Sequence, residues 1–439
     1  MLFNKYTSSC KSEGIYRIPE YEKTRHLLHL ECMSAQGITS LVTGQFIAGY
    51  LAFLGINETT SAILMQIQLV ASIAYIIAPL VYERTRRRLH YLGIFLVIYR
   101  MALVALCLVP LFARTVSSRI MMLGVIIIAA YFFSYLGDGG WVDFMSGCVP
   151  ARQRGGFLPQ RDANMVLAGT VVSLALGYVL DIFRDHKAEN IGFFIIFFFV
   201  FVFAAINGWA LKSMTQPPIH INREKIGLKA VLTLPMKDRL YRKYIIFHIL
   251  YNFSVYIGLS LFSIYPVVTL GMSYSYMAFL GLLATVSRMV SAKLWQRLKL
   301  KMSWPVIMII AHITLAVSFI IWAFVIKENA YVLLPLANIV SGAGWGGIAV
   351  SLFANNVIFA PKQSRTVYFS FNACVGALTG FLSSLLGAVV SGSFKNITIS
   401  ILGLDFCNMQ IMFFISAVLL LLTAVYIFFV MNKETESIT

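Results

Sequence analysis

Two charged residues stand where charge is expensive: Arg100 and Asp138 lie inside stretches that are otherwise apolar over membrane-crossing length. A guanidinium or carboxylate in hydrocarbon must find a partner, a water-filled cavity or a ligand, so each is a candidate for ion pairing, proton movement or solute binding. Counted from the polar segments near His90 and Val149 at 1.5 Å per residue, both sit about 15 Å deep. That equal depth predicts an Arg100–Asp138 pair, readable as a structural ion pair or as part of a binding and proton-coupling site.

Asp138 belongs to a glycine-rich run, Gly137-Asp138-Gly139-Gly140-Trp141, and a second such run, Gly342-Ala343-Gly344-Trp345-Gly346-Gly347, lies far downstream. Glycine in an apolar helix lets backbone come close to a neighbouring helix or to a ligand, and Trp141 and Trp345 add stacking surface. Gln45, Asn252 and Tyr256 fall near the middle of apolar stretches, where an amide or phenol needs a partner. With Asp138 and the two tryptophans they form a candidate substrate cavity. A second set, Glu83, Arg84, Asp143, Arg154, Arg161 and Arg365, lies at the ends of apolar stretches. It reads as ion pairs that close one side of such a cavity, or as topology-setting charges without that role. Glu31, His26 and His29 read as solvated or headgroup-level residues at the start of the first apolar stretch.

Other chemistries lack their residues. There is no His-Glu-x-x-His, no Gly-x-x-x-x-Gly-Lys-Ser/Thr phosphate loop and no Ser-His-Asp candidate set. The six cysteines are scattered without a Cys-x-x-Cys, so neither metal nor disulfide framework is indicated, and no cofactor is expected.

The elements that must carry these residues are legible from composition: 59% hydrophobic residues, 12% charged and a mean hydropathy of +0.80 leave too little polar surface for a soluble protein of 439 residues. Apolar stretches predict twelve spans, 32–54, 61–82, 89–112, 120–145, 163–183 and 191–211, then 244–270, 276–290, 304–326, 331–354, 367–390 and 409–430. The net charge of +17 is not gathered on a soluble face, as a nucleic-acid binder would require, so no nucleic-acid partner is expected. With the amino-terminal tail placed inside, 28 of the 35 basic residues fall in inner segments. Both termini are therefore expected in the cytoplasm. The expected organisation is a tail at 1–25, a six-helix bundle at 26–211, a linker at 212–243, a second bundle at 244–431 and a tail at 432–439.

A shift of 211 residues superposes two loops and the helices they begin: Val149-Pro150 on Ala360-Pro361, Arg154 on Arg365, Phe157 on Tyr368 and Gly169 on Gly380. With this repeat in hand the chain resembles the major facilitator superfamily. In the loop after the second span Arg84, Arg87 and Arg88 match that family's basic signature, while Pro79, Glu83 and Arg86 stand for its glycine, aspartate and second glycine. The turn Val149-Pro150-Ala151-Arg152-Gln153-Arg154-Gly155 matches its proline-then-arginine-glycine loop. The resemblance implies an all-α membrane protein of two pseudo-symmetric six-helix bundles. It further implies a transporter, secondary active or facilitative, that moves a small solute by alternating access with a coupling proton or cation. It would act as a monomer among plasma-membrane lipids. The fifth predicted span, Gly169 to Gly177, lacks the glycine-proline signature of the family's drug antiporters, which favours uptake, as in a symporter, or exchange. A membrane-embedded transferase acting on a lipid-linked substrate, or a receptor with the same fold, are the alternative readings.

Overall fold

The computed structural model describes residues 19–82, 85, 87–149, 151–216, 228–361, 365–394, 399–401 and 404–431. Among them, eleven helices are long and apolar enough to cross a membrane, since only a helix satisfies its own backbone in hydrocarbon. A twelfth crossing comes from two consecutive helices, α1 (Pro19–Val42), too polar to count among the eleven, and α2 (Gly44–Phe53), too short.

The second crossing joins α3 (Glu58–Gln66) to α4 (Ala74–Tyr82) through a tighter 3-10 stretch, Ile67–Ile73. The third runs through α5 (Arg88–Val104), a 3-10 turn and α6 (Val109–Phe112). The fourth to sixth are α7 (Val116–Cys148), α8 (Ala151–Asp185) and α9 (Glu189–Ser213). A short α10 (Leu228–Lys237) lies between the halves. The second half has α11 (Arg239–Leu259) with α12 (Leu261–Ile264), α13 (Tyr274–Leu298), α14 (Trp304–Ala323), α15 (Ala330–Phe359), α16 (Arg365–Ser393) and α17 (Asn408–Tyr426). A small hairpin, β1 (Ile399–Ile401) with β2 (Leu404–Phe406), sits before α17, where the sequence reading expected only a loop. With an even number of crossings Pro19 and Met431 lie at one end, here the tail end; the opposite end is the far end.

The repeat is visible in the backbone. α7 and α15 both stop one residue before an extended position, Val149 and Ala360, whose N–H bonds the carbonyl four residues back, Met145 and Asn356. The equivalent glycines do equivalent work. A Cβ on Gly169 would press on Gln36 and Ser40 of α1, and one on Gly380 would press on Tyr256 of α11. In each half the first and fifth crossings thus pack through a glycine.

Each half has its own apolar interior, one around Leu51, Leu123 and Val200, the other around Phe247, Leu315 and Leu420. Few residues cross between them. Val267 and Tyr274 join the first, Ile76 of α4 joins the second, and Ala48 and Ala62 join a far-end cluster of the second half.

The first crossing departs from expectation. Predicted at 32–54, it begins at Pro19 and is broken at Thr43, which is extended, and Gly44, whose φ of +58° suits a residue without a Cβ. Its first turns are exposed at Glu22, Lys23 and His26, while Thr24, Glu31 and Ser34 are buried against protein rather than lipid. The eighth crossing, predicted to end at 290, continues to Leu298, and the fifth, predicted from 163, starts at Ala151.

Candidate functional site

Asp138 projects from the interior face of α7. Met121, Val125 and Ala129 mark the exposed apolar side of that helix. At 3.6 residues per turn Asp138 lies about 140° around from their centre. Yet Asp138 is itself exposed, so it borders an opening inside the protein rather than lipid. The glycines on either side of it serve close helix packing. Gly137 leaves room for Leu96 of α5, and Gly140 for Tyr82 of α4.

Tyr75 of α4 donates from its hydroxyl to Asp138 Oδ2 at 3.4 Å. Its ring lies 4.7 Å from Tyr135, which is 6.0 Å from Tyr131, which is 5.3 Å from Tyr99. Tyr256 of α11 is within electrostatic reach of Tyr75 and Tyr135, so the tyrosine group crosses the seam between the halves.

The predicted Arg100–Asp138 pair is not the one formed. Arg100 Nη2 is 3.1 Å from Glu31 Oε1, and Arg161 Nη2 is 3.3 Å from Glu31 Oε2. Glu31 and Arg100 are 3% and 4% exposed, which overturns the headgroup-level reading of Glu31. The physical reason is the early start of α1. It brings Glu31 level with Arg100, midway along the third crossing, and the stronger contact of two opposite charges wins. Asn207 of α9 donates to the Glu31 carbonyl and to Ser34 Oγ, both at 2.9 Å. Arg161 lies over the Trp141 ring at 5.9 Å. One carboxylate therefore ties the first, third and fifth crossings, with the sixth held beside it, and Trp141 covers the cluster. Asp138 stays within electrostatic reach of Arg100 and Glu31 without being bridged.

A cavity of about 260 Å³ opens beside the break in the first crossing. Thr43, Gly44, Gln66, Gln68, Tyr131 and Ser263 contribute polar atoms or backbone to its wall. A discontinuous helix at a repeat interface leaves backbone groups free for a ligand, and this break lies at such an interface. Tyr131 belongs both to this cavity and to the tyrosine group leading to Asp138.

The other predicted cavity residues fare differently. Gln45 is half-buried, next to the break. Asn252 is buried and spends its amide on its own helix, donating to the His248 carbonyl at 2.7 Å. Tyr256 and Trp345 are half-buried against the interior of the second half. Of the closing set, Arg161 belongs to the Glu31 cluster. Glu83, Arg84 and the side chains of Asp143, Arg154 and Arg365 lie outside the described residues.

Two features of the interior and the seam escaped the sequence reading. The first is Arg288, near the end of the span predicted at 276–290, which sits well inside α13 because that helix continues to Leu298. The second is a latch at the far end. Asp181 of α8 accepts from Tyr274 N at 2.7 Å, Ser275 N at 2.9 Å and Ser275 Oγ at 2.6 Å, capping α13 from the other half. Arg184 donates to the Met272 carbonyl at 3.2 Å and lies 5.7 Å from the Tyr274 ring centre. Nearby a Cβ on Gly49 would overlap Tyr274, and one on Gly177 would press on the Tyr274–Ser275 backbone. The halves are thus fastened at the far end. Among the described residues no group of His, Cys, Asp and Glu is placed to hold a metal ion.

Comparison with known proteins places this arrangement. No family model matches the chain, and no curated protein matches it in sequence. Its structure is similar to that of the nucleoside transporter NupG, with a TM-score of 0.69 at 12% identity over 92% of this chain and 99% of that one. It is similar also to a D-xylose-proton symporter, with a TM-score of 0.69 at 15% identity over 93% and 98%. A POT family transporter in complex with a thioalcohol-conjugated peptide gives 0.63 at 13% identity over 95% and 96%. The fold is therefore that of the transporters which the sequence motifs resemble, and these three structures are of transporters.

Proposed function

We propose that this multi-pass membrane protein is a secondary transporter that carries a small solute by alternating access, the two six-helix halves rocking about the region of Asp138 and the broken first crossing. One observation carries this reading: an ionisable residue, Asp138, opens on an interior space at the seam of two separately packed halves that are fastened at one end. Each half moves as a unit because each has its own apolar interior. The latch at Asp181 joins groups that can meet only while the far end is closed, so it biases one of two states.

The tail end is cytoplasmic by the distribution of basic residues, which makes the far end extracellular in the plasma membrane. In this orientation the structure is closed to the outside. Proton coupling is the reading we favour for Asp138: it is exposed, touched by a phenol and left unbridged by the nearby Arg100, so it is free to gain and lose a proton as the cavity changes sides. The D-xylose-proton symporter among similar structures supports this choice of ion.

The Glu31 cluster takes the structural role first considered for Arg100. The transport reading is tested with purified protein in liposomes. A thermal-shift screen of sugars, nucleosides, amino acids, peptides and organic anions identifies a solute, because a ligand that binds only the folded state raises the melting temperature. The same solute should accumulate inside liposomes unchanged when a proton gradient is imposed. Chemical conversion of the solute, or binding without movement, would overturn the reading.

A further inference from the structure

We propose that Arg288 anchors an anionic group, a carboxylate or phosphate, of the transported solute, on the wall facing Asp138's half. The proposal rests on the transport reading and names its substrate class. On α13 the large exposed apolar residues, Phe279, Val286, Met289, Val290 and Leu294, form one stripe, the side that meets lipid. Arg288 lies about 180° from the centre of that stripe and about 20° from Gly281 at 3.6 residues per turn. Both Arg288 and Gly281 are exposed, and nothing lies within 4 Å of where a Gly281 Cβ would stand. The face opposite lipid therefore opens on interior space. Arg288 is within electrostatic reach of the buried Tyr251 of α11, which in turn reaches Tyr256 and so the tyrosine group around Asp138.

Among the described residues no carboxylate pairs with Arg288, whereas Arg100 and Arg161 are both engaged by Glu31. A cation held near the middle of a span without a partner is costly unless water or a ligand answers it. The guanidinium presents a rigid fork of donors suited to carboxylate or phosphate oxygens. Helical side chains lean toward the helix start, so it reaches along the open face toward Gly281.

The test needs no known solute. In Gly281→Cys, modification at position 281 by an anionic and by a cationic methanethiosulfonate reagent is followed by mass spectrometry. A unit charge about 7 Å away through water should favour the anion over the cation about tenfold. Arg288→Gln should lower the anion-to-cation rate ratio by about that factor, and Arg288→Lys, which keeps the charge, should largely preserve it. A ratio unchanged in Arg288→Gln, or no modification at 281 at all, would overturn the proposal. In thermal-shift pairs such as glutamate against glutamine or a sugar phosphate against the sugar, stabilisation should follow the anion and vanish in Arg288→Gln. Stabilisation by the neutral members that is indifferent to Arg288→Gln would also overturn it. Failure of the transport reading is separable: it would show as no accumulation in liposomes with the labelling ratio intact.

Discussion

Replacing Asp181 should open the far end. Its carboxylate accepts three hydrogen bonds from the first residues of α13, at 2.7, 2.9 and 2.6 Å. Bonds to a charged group contribute roughly 1.5–3 kcal/mol each where buried, and an anion at a helix start adds about 0.3–1 kcal/mol. Asp181 is only half-buried, and water replaces part of what is lost when the latch parts. A net bias of about 3 kcal/mol toward the closed far end is the working figure after that discount. Every 1.4 kcal/mol is tenfold, so Asp181→Ala should raise the far-open population about a hundredfold if it starts as a small minority. Asp181→Asn keeps an acceptor oxygen but not the charge, and should shift it about tenfold. The assay is modification of Ser263→Cys, in the cavity wall, by a membrane-impermeant maleimide added to intact cells. Labelling should be slow with Asp181 present and rise in the order Asn, then Ala. A rate in Asp181→Ala within twofold of the parent would refute the idea that this contact holds one state.

Three further outcomes follow from the same geometry. Glu31→Ala leaves Arg100 and Arg161 buried without their carboxylate and should destabilise the protein by about 3–5 kcal/mol, seen as lost expression or a lower melting temperature, whereas a parent-like melting temperature would contradict the burial. Asp138→Asn should abolish proton-driven accumulation in liposomes while leaving solute exchange measurable, and unchanged proton dependence would remove Asp138 from coupling. Gly49→Val would place a side chain where Tyr274 sits, so Tyr274 cannot seat and far-end labelling should rise as it does for Asp181→Ala.

The fold was legible because lipid imposes a simple rule, and eleven of the crossings obey it in length and composition. The first crossing broke the rule at its start. Its residues Glu31 and Ser34 face Arg100, Arg161 and Asn207 rather than hydrocarbon, so hydropathy dated its beginning thirteen residues late. The same error hid the Glu31 pair and left Asp138 as the apparent partner of Arg100. Asp138 stands out in the sequence because a carboxylate in an apolar run is conspicuous. Arg288 drew no attention because it falls near the end of the predicted span and Lys293 and Arg297 follow it on α13, so it reads as the start of an inner basic segment. Asp181 carried no signal, since a carboxylate near the end of a crossing is ordinary until the other half is seen to donate to it. The repeat is legible at Val149 and Ala360 and at Gly169 and Gly380 because helix ends and close-packed glycines mark backbone geometry directly.

The claim on which all this depends is that two halves rock so that one end opens as the other closes. Spin labels at Lys187 and Lys327, exposed in far-end loops of the first and second halves, and at His90 and Leu300, exposed at the tail end, measure both seams by pulsed electron resonance. Between the parent protein and Asp181→Ala, the far-end distance should lengthen while the tail-end distance shortens. Two distances that stay fixed, or that lengthen together, would contradict the account.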